Sequence, residues 1–405
     1  MNLLPLLTSP RPIAGILVGC TLSLAGCSDN PTQETPETDP ESTPAQSVDA
    51  EGTSLRMTRA TPAATPTPAP TPDPKVVNWN FFVKHFINNG RVIDTGNGGI
   101  SHSEGQGYGM LIAEARDDRA VFDDLWEWTK ANLGKRDDRL FCWKWAPNDT
   151  GDGGSVTDSN NATDGDMLIA WALLRGAERW QAPEYVQAAE GILEDVLKLC
   201  TLEHANRLLL LPGVEGFVKE DVVIVNLSYW IYPAIRDFYA HSQDDRWEQL
   251  MDVGLEFARI AKFSKYQLPP DWLAVHPRGL DIASGWQPDY GYNAVRVPLH
   301  LLWAGVLDER YIRSYRLLAE AVPNLSSLPA TVDLVTGAFG ESSALPGMAA
   351  IYRLVQNPIQ FRGEAAPYPG PMEQEAYFSV SLGLLCNIAS EEEKKYPPPT
   401  EAETP

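Results

Sequence analysis

Between about residue 76 and residue 390 apolar side chains recur three and four positions apart, and this period limits the fold more than any other feature of the chain. It runs through Tyr108, Leu111, Ile112 and Ala115, then Phe122, Leu125, Trp126 and Thr129, then Leu168, Ala172 and Leu173, then Val186, Ala189, Ile192 and Val196. Such spacing gathers the apolar residues on one face of a helix. Alternation with a period of two is hard to find over more than four residues, apart from Val222 to Val225. The body therefore reads as all-α. About a dozen helices fit a body of roughly 315 residues at common helix and loop lengths.

The flanks follow other rules. Residues 13–26 form an apolar run after Arg11 that ends in small residues before Cys27. This is too short for a stable transmembrane helix and reads as an export signal. Leu24-Ala25-Gly26-Cys27 resembles the lipobox of bacterial lipoproteins. That resemblance implies lipidation at Cys27, and Ser28 after it leans towards the outer membrane. From Ser28 to about Val76 the chain is Pro, Thr, Ala, Glu and Asp with hardly any large apolar side chain, so nothing offsets the entropy of ordering and the segment reads as a tether. The expected organisation is a signal over 1–26, a disordered tether over 27–75, one catalytic body over 76–390 and a disordered acidic tail over 391–405. The protein is expected on the periplasmic side, held to a membrane by lipid alone.

Charge excludes other classes. With 32 Lys+Arg against 54 Asp+Glu the formal charge is −22, which repels nucleic acid and anionic membrane faces. Once Cys20 leaves with the signal and Cys27 takes lipid, Cys142, Cys200 and Cys386 remain. Three widely spaced cysteines are no disulfide framework, and buried free thiols are expected. The six histidines show no HxxxH or HxxE spacing, which argues against zinc. The Asp- and Gly-rich loop from Asn148 to Asp158 imitates a calcium loop, but an EF-hand frame begun at Asn148 puts Ser159 where the bidentate Glu belongs. No metal or cofactor is called for.

Two clusters carry the chemistry. Ser103 and Gln106 fit the S-x-x-Q capping box that opens a helix, which places Glu104 in its first turn. Gly105, Gly107 and Gly109 follow, each costing roughly 1 kcal/mol in a helix relative to alanine. Something must therefore approach the backbone closely there. The second cluster, Asp158 to Asp166, runs directly into an apolar-periodic segment, with Asp164 placed to cap that helix.

Ser103-Glu104-Gly105-Gln106-Gly107-Tyr108-Gly109-Met110, Asp158-Ser159-Asn160 and Ala162-Thr163-Asp164-Gly165-Asp166 together resemble family 8 glycoside hydrolases, in particular the periplasmic cellulases that accompany bacterial cellulose synthase. The likeness extends over nearly the whole body, through Pro270-Asp271-Trp272 to Tyr290-Gly291-Tyr292-Asn293-Ala294-Val295-Arg296. The order and spacing of these strings together carry the resemblance, which implies an (α/α)6 barrel of six inner and six outer helices that cuts β-1,4-linked glucan with inversion. It further implies Glu104 as general acid, Asp164 as a catalytic residue holding the sugar at the cleavage point, and Tyr229 as a residue that positions water. Glu104, Asp164, Tyr229 and Asn293 are spaced 60, 65 and 64 residues apart, as side chains around one rim of a helical-hairpin barrel would be.

Inversion needs an acid and a base about 6.5–9.5 Å apart. Glu104 must hold a proton near neutral pH, and the expectation is that Asp164 stays ionised and raises it. Many relatives carry Asp where this chain has Asn293, and an amide is a poor proton acceptor. Asp289, one turn earlier if that segment is helical, is then the first alternative as base. Asp281 and Asp158 are weaker ones. Flat sugar faces pack on aromatic rings, so Trp143, Trp145, Trp272 and Trp286 are candidate platforms. Ser103, Gln106, Tyr108, Asp158 and Arg296 complete the expected substrate contacts. Two other readings stay open: a glucan-binding lipoprotein without catalysis, and a hydrolase of chitosan, lichenan or xylan. The cellulose synthase complex is a candidate partner.

Overall fold

The computed structural model describes residues 73–150, 153–357 and 366–392. The expected signal, Cys27, nearly all of the tether and the tail from residue 393 lie outside them. Eleven α-helices occur among the described residues: α1 (Pro74–Phe86), α2 (Ser103–Ala115), α3 (Arg119–Asn132), α4 (Thr163–Trp180), α5 (Pro183–Leu199), α6 (Tyr232–Ser242), α7 (Asp245–Ile260), α8 (Val297–Trp303), α9 (Glu309–Glu320), α10 (Pro346–Gln356) and α11 (Tyr377–Glu391).

Six of them form a closed ring, α2 against α4, then α6, α8, α10 and α11, which returns to α2. Outside it, α3 packs on α2, α5 on α4, α7 on α6, α9 on α8 and α10, and α1 on α11. This is the expected (α/α)6 barrel, with five of its outer helices among the described residues. The burial pattern follows the layering. In α2 and α4 almost every residue is buried through the first three turns, whereas α3 buries only the stripe Phe122, Leu125, Trp126 and Thr129. An inner helix has neighbours on all sides and an outer one has a wet face.

Local chemistry sets the helix starts. Asp118 accepts the Val121 amide to begin α3, and α5, α6, α8 and α10 each carry a proline in the first turn, where a missing N–H costs nothing. The expected capping box at α2 is corrected: His102 is the cap, its Nδ1 accepting the Gly105 amide at 3.0 Å. Gln106 instead accepts the Val92 amide and donates to Gly90 O, Leu125 O and Thr129 Oγ1, tying α2 to α3 and to the loop before it. Asp164 likewise does not cap α4, which begins at Thr163 after Ala162; it stands in the first turn, and its Oδ1 accepts its neighbour's amide, that of Gly165, at 2.8 Å.

The connections hold what the helical period concealed. Thirteen strands of two to five residues occur among the described residues, too short to show alternation. Strands Ser101–His102, Lys144–Pro147 and Gly154–Asp158 form one antiparallel sheet, and Val218–Lys219, Val222–Val225, Leu273–His276 and Gly279–Ile282 another. Cys142, Cys200 and Cys386 are buried free thiols. No described helix is long and apolar enough to cross a membrane.

Candidate active site

The N-terminal ends of four successive inner helices meet at one place. Glu104 is the second residue of α2 and Asp164 the second of α4. Tyr229 ends a short 3-10 turn (Leu227–Tyr229) ahead of α6, and Arg296 ends another (Ala294–Arg296) that runs straight into α8. The glycines explain how two of these ends come so close. A Cβ on Gly107 would fall 2.5 Å from Leu168 Cβ, and one on Gly165 would fall 2.7 Å from the Glu104 amide nitrogen. Neither position tolerates a side chain without moving one inner helix off the other, which accounts for the glycine-rich first turns.

Arg296 joins the ends. Its Nη1 donates to Glu104 Oε2, to Tyr108 Oη at 3.0 Å and to Asp164 Oδ2 at 3.1 Å, while Nη2 donates to Asn293 Oδ1 at 2.9 Å. The guanidinium also lies 5.9 Å from the Tyr229 ring centroid. Side-chain exposure is 16% for Glu104, 3% for Arg296 and 1% for Asp164, so Glu104 is the member of the trio that opens outward.

The electrostatics reverse the expected ionisation. Burial drives the Asp164 carboxyl well above the ordinary carboxylate range, and the Glu104 charge beside it adds to the effect against the opposing pull of Arg296. Burial also pushes Glu104 upward, but there the charges of Arg296 and His102 outweigh it and hold this group below its ordinary value. Two hydrogen-bonded carboxyls flanking one guanidinium keep one negative charge, and the proton settles on the more deeply buried of the two. Asp164 is therefore the carboxyl that favours the proton and Glu104 the one that favours the charge. Beneath them, on α8, burial lowers His300 to about 3, so it is neutral.

The other expected site residues divide. Tyr108 and Arg296 belong to the cluster. Ser103 and Gln106 are fully buried and act in the framework rather than as substrate contacts; a ligand cannot reach Gln106 without breaking its four bonds. Asp158 accepts the Asn160 amide at 3.0 Å and shapes the turn after its strand. Trp145 is buried, with the Arg91 guanidinium 4.7 Å from its ring centroid, whereas Trp143 is half-buried. Trp272 is buried between Phe217 and the half-exposed Trp286, at centroid distances of 5.8 and 5.5 Å, in a small cluster apart from the main core. Of these two only Trp286 is partly exposed, with the Lys219 ammonium 4.7 Å from its ring centroid.

Asp289 is corrected in its geometry. It lies on a short strand, Asp289–Tyr290, paired with Asp333, so the helical relation to Asn293 does not exist. Asp281 is exposed on the strand Gly279–Ile282. The carboxylate that reasoning from sequence passed over is Asp271. Its Oδ1 accepts the amides of Gly291 at 2.9 Å and Ala294 at 2.7 Å, gripping the turn that carries Asn293. The Pro270-Asp271-Trp272 string marked the place without its role, because hydrogen bonds spanning some twenty residues leave no periodic trace.

Comparison with known proteins bears on this arrangement. The family model described as "Glycosyl hydrolases family 8" matches residues 60–392. A "Probable endoglucanase" of Novacetimonas hansenii is 41% identical over 324 residues, spanning 79% of this chain and 92% of the relative. Among solved structures, the endo-beta-1,4-glucanase CMCax from Acetobacter xylinum superposes with a TM-score of 0.72 at 40% identity, covering 80% of this chain and all of that one. Endoglucanase Cel10 from Klebsiella pneumoniae, described as a family 8 glycosyl hydrolase, also gives 0.72 at 33% identity, covering 78% of this chain and 99% of that one.

Proposed function

Because the chain belongs to glycosyl hydrolase family 8, we propose that it is an endo-acting β-1,4-glucanase that cleaves cellulose with inversion at the anomeric carbon, Glu104 delivering the proton to the leaving oxygen. One observation carries this reading: Glu104 and Asp164 share a buried guanidinium, and Glu104 is the member facing outward. The pair's proton rests on Asp164 and reaches the glycosidic oxygen through Glu104, across the hydrogen bond that joins the two carboxyls. Glu104 thus acts as general acid although burial does not hold the proton on it at rest. Arg296 offsets the single negative charge of the pair before transfer and the second one that transfer creates. Tyr229, beside the guanidinium on the next helix end, positions the attacking water, and Trp143 and Trp286 present half-buried rings to the sugar chain.

The substrate assignment rests on the relatives, a probable endoglucanase and an endo-beta-1,4-glucanase. Export, lipidation at Cys27 and a tether that lifts the catalytic body off the outer membrane rest on the sequence. Together they support a periplasmic location, with the cellulose synthase complex as a candidate partner. The test is release of reducing sugar from carboxymethylcellulose and a panel of chitosan, lichenan and xylan, with proton NMR of the first-formed anomer. An α-anomer from carboxymethylcellulose or cello-oligosaccharide supports the reading; product from another polymer alone reassigns the substrate. The amide at Asn293 favours a second reading, a glucan-binding protein without turnover, which oligosaccharide binding with no product would establish.

A further inference from the structure

The hydrolase reading leaves the base unassigned, since the residue on the turn before α8 is an amide. Glu104 and Asp164 are both engaged with Arg296. Asp289 faces Asp333, the one charge resolved as acting on it. Asp281 stands exposed, and Asp158 closes a turn. Asp271, by contrast, is held directly against the Asn293 turn.

Resting on the hydrolase reading above, we infer that Asp271 is the general base of this enzyme, replacing a carboxylate at position 293. Its position is built. The Asp271 amide donates to Asp289 O at 2.7 Å, and its Oδ1 takes the Gly291 and Ala294 amides. Its Oδ2 lies against Gly291, where a Cβ would sit 3.0 Å from that oxygen. That Cβ would also sit 3.1 Å from Thr331 Cγ2, so the turn packs closely on the carboxylate because position 291 has no side chain. Asn293, on the same turn, has its carbonyl oxygen occupied by Arg296 Nη2, so Arg296 links the Asp271 turn to Glu104 in one connected framework.

Burial raises the Asp271 carboxyl to about 6, against the backbone amides of 291, 293 and 294 and the charge of Arg296. Besides Arg296, the ionisable group facing it is Tyr290. A base in this range is ionised at neutral pH and still takes up a proton readily. In the balanced step, water oxygen bonds to C1 of the sugar as one of its protons passes to Asp271. The C1–O bond to the leaving sugar breaks, and that oxygen takes a proton from Glu104, which is supplied in turn by Asp164. Asp271 then loses its proton and Asp164 regains one by exchange with solvent.

The test uses the full-length chain and cello-oligosaccharide, with Asp271→Asn, Asp271→Ala and the double variant Asp271→Asn/Asn293→Asp. An asparagine at 271 still presents an oxygen to the Gly291 and Ala294 amides, so it keeps the clamp and removes the base. The expected result is a fall in kcat of about 100-fold or more for Asp271→Asn with KM little changed. Added azide should then restore turnover and yield an α-glycosyl azide, and the double variant should recover part of the loss. Wild type should show an acidic limb in kcat/KM near pH 6. Wild-type turnover in Asp271→Asn with loss confined to Asp271→Ala would reduce the residue to a clamp and overturn the inference. Absence of the acidic limb in wild type would overturn it too, even if Asp271→Asn failed to fold. If wild type itself releases no product from any glucan, the hydrolase reading fails instead, an outcome the variants cannot mimic.

Discussion

Arg296 and Asp164 stand 132 residues apart in the chain, and Arg296 Nη1 donates to Asp164 Oδ2 at 3.1 Å in the interior of the barrel end. A guanidinium this deeply buried persists only where its charge and donors are matched, and here Glu104, Asp164, Tyr108 and Asn293 match them. The same bond network holds two carboxyls close enough to share one proton. Structure and chemistry thus depend on one residue.

Replacing Arg296 should therefore affect both. Arg296→Met leaves two facing carboxyls without a counter-charge, and loss of one partner of a buried ion pair costs about 3–5 kcal/mol. Urea unfolding of variant and wild type measures this. Arg296→Lys should lose less stability but still lose activity, because an ammonium cannot bridge Glu104, Asp164 and Asn293 with the geometry of a planar fork.

Glu104→Gln should lower kcat by about 100-fold to 10,000-fold, the usual worth of a positioned proton donor, while cello-oligosaccharide binding measured by calorimetry stays within a few-fold of wild type. Unchanged turnover would remove Glu104 from the role of acid.

Gly107→Ala places a methyl group 2.5 Å from Leu168 Cβ, between α2 and α4. Overpacking of this kind costs about 1–3 kcal/mol. Because the same contact sets the spacing of Glu104 from Asp164, kcat should fall together with the urea midpoint. A variant that loses stability and keeps full turnover would show that the helix spacing does not set the carboxyl pair.

Asp166 gives a pH signature of folding. Burial raises its carboxyl from an unfolded value of 3.8 to about 7, against the hydrogen bonds from Asn161 and the Phe141 amide. The folded state binds the extra proton across that window, so the stability tied to it is fully present below 3.8 and is lost as pH rises through about 7. Asp166→Asn cannot titrate. Its melting temperature relative to wild type should climb between pH 4 and pH 8, and a constant difference across that range would contradict the assignment.

Much of the framework is legible in the chain itself. The stripe Phe122, Leu125, Trp126 and Thr129 faces inward from an outer helix, because one-sided burial imprints a period on sequence. The glycines at 105, 107 and 109 announce a close approach, and Leu168 is what approaches Gly107. The spacing of Glu104, Asp164 and Tyr229 corresponds to the ends of successive inner helices. The short strands between helices escaped, since two to five residues cannot display alternation. The helical relation of Asp289 to Asn293 failed because an extended pair with Asp333 sets that segment.

Sequence by itself determined the helical architecture, the family likeness and which side chains could carry a proton, since these follow from local period and residue type. Only the tertiary structure decided who holds the proton and who grips the turn. Burial and charge at a given atom sum over every element packed around it, so the ionisation of Glu104 against Asp164, and the place of Asp271 under the Asn293 turn, exist only after the chain has closed into its ring.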